Sequence, residues 1–441
     1  MNESGEAPVP HEKQITHEPA FESDIVTINF ISSNPQGIDV NTKYSLSRRE
    51  DIDAYPLTDP QRIDLKHGMW GEVAFILKRK GLYTDEMRKA NKAKDFQQEW
   101  ELVRAAVHEN KIDLTEEMAY KLAIRNQELV GDTLSVDVKD VPYPSYEVGS
   151  NPQDSRESHE LTAVAAVAGA LVTKDNKLVV QMRSGNRIFD QVLGASAAGM
   201  FDRDKLQIGL EPDPITGKTP YIKGRPRPIN TDTVKSKFLE EAFQEIAVNS
   251  DDVEGLRIVS TAVDHTYIHD EFLLFGRLNL TSHELEQRAL SAPRSQRKDG
   301  DFHFDEKFVF IDATPDAIET LLTQVKNPLP PTHLAAYVVA GYTLMLDEGM
   351  DEDGYDRETN KLKAEAWKKK VEEGVSRNYA QINRLVKENA LREQGITEQS
   401  NIDRLIDSVP GYNPKIPANK QGLPEMGQEL IDHGLLKEQS L

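Results

Sequence analysis

The chain has 441 residues, 38% of them apolar, and a formal charge of −21 at pH 7, so it can bury a core beneath an acidic surface. That charge argues against binding polymeric nucleic acid, which needs concentrated Lys and Arg, and the lack of cysteine removes disulfides, thiolate metal sites and thiol nucleophiles. Met1 to Glu6 carries neither a basic flank nor an apolar run, and no stretch approaches the roughly 18 apolar residues that span a bilayer, so a cytoplasmic protein of two or three units with no membrane partner is expected.

Residues 1–22 are polar and hold prolines, which reads as a flexible tail. Ile25 to Ile31 is β-branched and partly alternating, the pattern of a strand. Gly71 to Leu77 reads as a helical turn or a strand. Residues 84–107 and 114–129 read as helices, with Trp100, Leu102, Val103, Ala106 and Val107 forming one apolar stripe. Residues 23–145 are therefore expected to be a small α+β N-terminal domain, closed by the proline-bearing linker Val141 to Ser145.

The pattern changes near residue 160. Leu161 to Val172 is apolar enough for a buried strand, and Lys177 to Arg183 follows the Asp175-Asn176 turn, so the two form a hairpin. Strands at 256–263, 271–278 and 306–312 alternate with helices at 234–248, 282–290, 315–326 and 333–346, which implies a layered α/β domain over 155–348. Within it, 204–232 is rich in Pro and Gly and reads as an insertion. Lys218, Lys223, Arg225 and Arg227 make this segment either an anion-facing lid or a solvated excursion. The acidic stretch Asp347 to Gly354 lacks the spacing of a calcium loop.

Residues 355–409 read as a helical extension and 410–441 as a tail. Trp367, Val371, Val375, Tyr379, Ile382 and Val386 recur every three or four residues. This stripe suits either the body of its own chain or a homodimer through the C-terminal helix.

Two carboxylates stand out for chemistry. Glu241 and Glu245 lie four residues apart on one helix face, with Gln244 beside them and Glu240 to the side. Close carboxylates repel unless a cation or proton separates them, so a hard divalent ion is a suitable partner. Upstream, Ala195 to Gly199 has almost no side-chain bulk, which lets a backbone approach a ligand. An acidic helix by this spacing alone is an ordinary solvated face.

In order, strand, small-residue turn, loop, acidic helix and strand resemble the Nudix hydrolase superfamily and its motif G-x5-E-x7-R-E-U-x-E-E-x-G-U, where U is aliphatic. Aligned with it, Glu240 to Val248 falls on the metal-binding helix, and Gly199 becomes the turn glycine once 204–232 is taken as an insertion. Glu241 and Glu245 match helical glutamates, and Asp232 takes the earlier acidic position. Glu240 stands at the arginine, Gln244 at a paired glutamate and Ala247 at the late glycine, so the motif is degenerate. Val179 to Arg183 and Phe189 to Gly199 also look like Nudix segments.

The resemblance implies an α/β/α sandwich flanked by the N-terminal domain and the C-terminal extension. It also implies Mg2+ or Mn2+ held by Glu241, Glu245, Gln244 and Asp232. The activity implied is metal-dependent hydrolysis of a nucleoside diphosphate derivative or related organic diphosphate. Gln244 can accept from a metal-bound water but cannot act as a base, so Glu271, or else His269, is the candidate base, each set against a merely solvated turn. Arg183 and Arg187, with Arg225 and Arg227 from the loop and Gly199 at the turn, are the candidate contacts for a phosphorylated small molecule. The alternative is a catalytically degenerate Nudix-like domain that binds a phosphorylated metabolite or a protein partner.

Overall fold

The computed structural model describes residues 19–45, 74, 77–78, 80–93, 96–110, 120–142, 164–183, 191–201, 229–265, 269–291, 307–347, 357–413 and 416–437. The protein is a mixed α/β structure, with two sheets among the described residues. In chain order the first strands are β1 (Phe21–Glu22), β2 (Val26–Ile31) and β3 (Asp39–Ser45), followed by helices α1 (Asp85–Lys92) and α2 (Phe96–Glu109). A hairpin of β4 (Tyr120–Val130) and β5 (Thr133–Pro142) comes next. The second half holds β6 (Val164–Val172), β7 (Lys177–Arg183), β8 (Val192–Gly194), β9 (Ala197–Met200) and helix α3 (Thr231–Ile246). It continues with β10 (Val253–Asp264), β11 (His269–Leu278), α4 (Ser282–Ser291), β12 (Lys307–Asp312), α5 (Pro315–Thr323) and α6 (Pro331–Asp347). The long α7 (Arg357–Glu393), α8 (Gln399–Leu405) and α9 (Met426–Asp432) complete it.

The large sheet runs β1-β2-β10-β11-β6-β7-β12, with β8 on β7 and β9 on β6. All its pairings are antiparallel except β11 with β6, which run parallel. Alternation along the strands splits the core in two. Ala168, Ala170, Leu273 and Phe275 pack under α5, α6 and α7, whereas Ala165, Val167, Phe272 and Leu274 pack under α3. Helices thus cover both faces.

The strand β6 and its neighbour β7 begin as the expected hairpin, with Val172 opposite Leu178 and Asn176 in the left-handed region at the turn. They then part: β9 pairs Ala166 to Gly169 of β6, and β8 pairs Gln181 to Arg183 of β7. Ser196 spans the opening, accepting from the Leu171 N–H at 2.9 Å and donating to the Val179 carbonyl at 2.6 Å. From α6, Tyr337 donates to the Gly194 carbonyl at 2.6 Å. Backbone groups freed by the splay are thereby satisfied inside the protein.

Several expected boundaries move. The stretch expected as a helix over 114–129 supplies β4 within its described part, because Leu122 and Ile124 alternate inward and Gly131-Asp132 turns the chain into β5. β5 reaches Pro142 into the expected linker. β1 forms at the end of the expected tail, and β2 joins the large sheet through β10 rather than an N-terminal domain. The small sheet β3-β5-β4 shares its core with α3: Val136 and Val138 belong to the same buried cluster as Phe238 and Ala242. At the other end, Leu430 and Leu436 are buried in the main core, so the expected tail is partly packed structure.

The apolar stripe of α7 is covered within its own chain. Trp367, Val371 and Val375 pack into the core shared with α5 and α6, and Ile382 and Val386 pack with Val192, Ala418 and Leu423. Those side chains are therefore not on offer to a second copy. No described helix is long and apolar enough to cross a membrane.

Candidate functional site

Helix α3 is built to present two neighbouring rows. Asn230 caps it by accepting from the Thr233 N–H at 2.9 Å, while the Thr233 hydroxyl accepts from the Asn230 N–H at 2.6 Å. Val234, Phe238, Ala242 and Ile246 recur every four residues and form the buried row. Beside it runs a charged row: Lys237, Glu241 and Glu245. The helix ends at Ala247, a non-glycine residue with φ 59°, where the Nudix motif carries glycine.

Glu241 and Glu245 both meet the small-residue turn. Gly199 leaves room for the first: a Cβ there would stand 2.5 Å from Glu241 Cγ and closer still to its carboxyl group. Only glycine admits that approach. Glu245 Oε2 accepts from the Ala198 N–H at 3.1 Å and from Gln181 Nε2 at 2.9 Å. Gln181 in turn donates to the Ser196 carbonyl at 3.1 Å, linking the carboxylate to the opening between β6 and β7.

Glu241 also has a cationic neighbour absent from the sequence reading. Lys237 forms an ion pair with Glu241 Oε1 and lies 3.7 Å from Glu240 Oε2, and its side chain is only 8% exposed. The available signal was its position four residues before Glu241, in the same row.

The other expected ligands lie apart. Gln244 donates to Glu240 at 3.2 Å on the exposed side of the helix. Asp232 is exposed in the first turn, about 13 Å along the axis from Glu241, where a carboxylate favours the positive end of the helix dipole. Among the described residues no three His, Cys, Asp or Glu side chains stand together so as to hold a metal ion. The described residues, as arranged, do not form a divalent-metal centre. Glu245 is engaged by protein donors, Glu241 by an ammonium, and Gln244 turns away.

His269 and Glu271 are in contact with each other, at 3.4 Å between Nδ1 and Oε1. Alternation along β11 puts them on the side of Leu273 and Phe275, under α6, and not on the α3 side with Glu241 and Glu245. The expected base is thus separated by the sheet from the acidic helix. Burial pulls the His269 pKa down, but Glu271, Asp264 and Asp270 raise it overall. The second carboxyl oxygen of Glu271 is buried without a hydrogen-bond partner among the described residues.

Arg183 lies at the end of β7, two residues after Gln181. Its Nε is buried and has no hydrogen-bond partner among the described residues, and a Cβ on Gly194 would lie 3.0 Å from Arg183 Cδ and 3.3 Å from His333 Nδ1. His333, on the first turn of α6, accepts the Ala195 N–H at 3.1 Å through Nδ1. Burial, then the charges of Arg183 and His269, holds its pKa well below the usual histidine value, so the ring is neutral with its proton on Nε2. Sequence reasoning missed His333, which stands out only once α6 is docked beside β8.

Arg187, Arg225 and Arg227 lie outside the described residues, as does most of the 204–232 segment. No protein-family model matches this sequence, and no curated protein matches it.

Proposed function

We propose that the layers around β6 to β11 form a Nudix-like α/β/α domain that binds a phosphorylated small molecule without metal-dependent turnover. The observation that carries this reading is the state of Glu245. Its carboxylate lies at the small-residue turn, where Oε2 accepts from the Ala198 N–H and from Gln181 Nε2. Among the described residues, Asp232 and Gln244 do not join Glu241 and Glu245 at the turn. On the same strand as Gln181, Arg183 retains a buried N–H without an acceptor among the described residues, and a phosphate oxygen is a matching acceptor for guanidinium.

The test is a panel of nucleoside diphosphate derivatives and other organic diphosphates, titrated calorimetrically and assayed for turnover with Mg2+ and Mn2+. At least one is expected to bind without being hydrolysed, and Arg183→Met is expected to weaken binding by about tenfold, or 1.4 kcal/mol. Metal-dependent turnover that disappears in both Glu241→Gln and Glu245→Gln would instead establish the hydrolase reading.

A further inference from the structure

We propose that the phosphorylated ligand carries a protonated amine and spans one end of the large sheet, with Arg183 at its phosphate and Glu271 at its ammonium. The proposal rests on the reading of Arg183 as a phosphate contact and adds the class of ligand. β7 ends at Arg183, β8 begins at Val192 and β10 ends at Asp264, while β6 and β11 begin side by side with Val164 opposite His269. Arg183 and Glu271 therefore stand at the same end of the sheet. The first turn of α6 lies between them. A Cβ on Gly194 would touch both Arg183 Cδ and His333 Nδ1, and after burial it is the charges of Arg183 and His269 that lower the His333 pKa. His269 in turn contacts Glu271 at 3.4 Å.

Two buried polar atoms on this path have bonds still to make. Among the described residues neither Arg183 Nε nor Glu271 Oε2 has a hydrogen-bond partner, so these two atoms do not satisfy each other. The Glu271 side chain is 4% exposed, and a carboxylate oxygen left bare at that depth is costly. A ligand with an anion at one end and an N–H donor at the other supplies both missing partners. The electrostatics favour a cationic donor over a neutral one. At His269 burial alone would lower the pKa, yet the charges of Glu271, Asp264 and Asp270 outweigh it, so the local potential favours positive charge. Tyr412 adds a third open bond beside the phosphate end. Its buried hydroxyl has no partner among the described residues, and it packs in the cluster of Val192, the residue opposite Arg183.

The experiment is calorimetric titration of the whole protein with aminoalkyl phosphates of increasing length, each set against the alkyl and hydroxyalkyl phosphates of matched length. At least one aminoalkyl phosphate is expected to bind about tenfold more tightly than both of its matched partners. Glu271→Gln keeps the shape of the side chain and removes its charge, and it is expected to abolish that preference while leaving alkyl phosphate affinity within about twofold of the parent. Equal binding of the three kinds of phosphate by the parent overturns the proposal, as does a preference that survives in folded Glu271→Gln. If Glu271→Gln does not fold, a crystal structure of the parent with the tightest aminoalkyl phosphate decides. An amine within about 3.2 Å of the Glu271 carboxylate supports the proposal, and an amine placed elsewhere overturns it. Phosphates or diphosphates that bind with no preference for an amine overturn this proposal and leave the phosphate-binding reading standing, whereas absence of binding across both series overturns the two together.

Discussion

Replacing Gly199 with alanine probes the contact that brings the acidic helix to the turn. The new Cβ would lie 2.5 Å from Glu241 Cγ, well inside ordinary carbon–carbon contact, with the carboxyl carbon closer still. Because the overlap reaches Cγ, moving the carboxyl tip alone does not relieve it. Either β9 shifts, at the roughly 1–3 kcal/mol typical of overpacking, or Glu241 withdraws and its ion pair with Lys237 is lost. Loss of one member of a buried pair costs about 3–5 kcal/mol, reduced here because Glu241 is 15% exposed and Glu240 is near. The cheaper response prevails, which sets the expected loss at about 1–3 kcal/mol. Urea denaturation measures it, and a cycle with Glu241→Ala assigns it. In the Glu241→Ala background the same Gly199→Ala change is expected to cost less than about 1 kcal/mol. An equal cost in both backgrounds would refute the role of the Gly199–Glu241 approach.

Two further substitutions follow from the backbone and from burial. Ala247→Gly is expected to stabilise the protein by about 0.5–1 kcal/mol, because Ala247 caps α3 in the left-handed region that glycine adopts freely; an unchanged or lower urea midpoint would contradict this. His333 is buried and neutral in the folded state, so its depressed pKa contributes stability that is present above about pH 6.5 and lost as pH falls toward the folded-state value. Unfolding free energies measured between pH 7 and 5 should fall less steeply in His333→Asn, by up to about 1.4 kcal/mol per pH unit. An identical slope in the variant would show that His333 is not the group responsible.

The elements that sequence reading locates best are those whose signal is local. The Asp175-Asn176 turn, the α7 stripe and the four-residue spacing of Glu241 and Glu245 depend on backbone geometry within a few residues, and all appear where the pattern puts them. Residues 120–130 show the opposite case. The short apolar run Leu122-Ala123-Ile124 suits a buried helical turn as readily as a strand, and the decision came from β5, which completes its hydrogen bonds. β2 likewise reads as a strand by itself, but its attachment to β10 joins residues more than 200 positions apart.

The candidate site divides in the same way. Sequence alone determined that α3 would carry Glu241 and Glu245 on one face, because helical periodicity fixes which side chains are neighbours. Only tertiary structure decided what they meet: Gly199 and Gln181 arrive from β9 and β7, while His269 and Glu271 turn to the other side of the sheet. Lys237 lay within reach of a local reading. Its consequence did not, since a lysine on a solvated helix is an ordinary surface charge, and its burial in the folded protein is what strengthens its ion pair with Glu241.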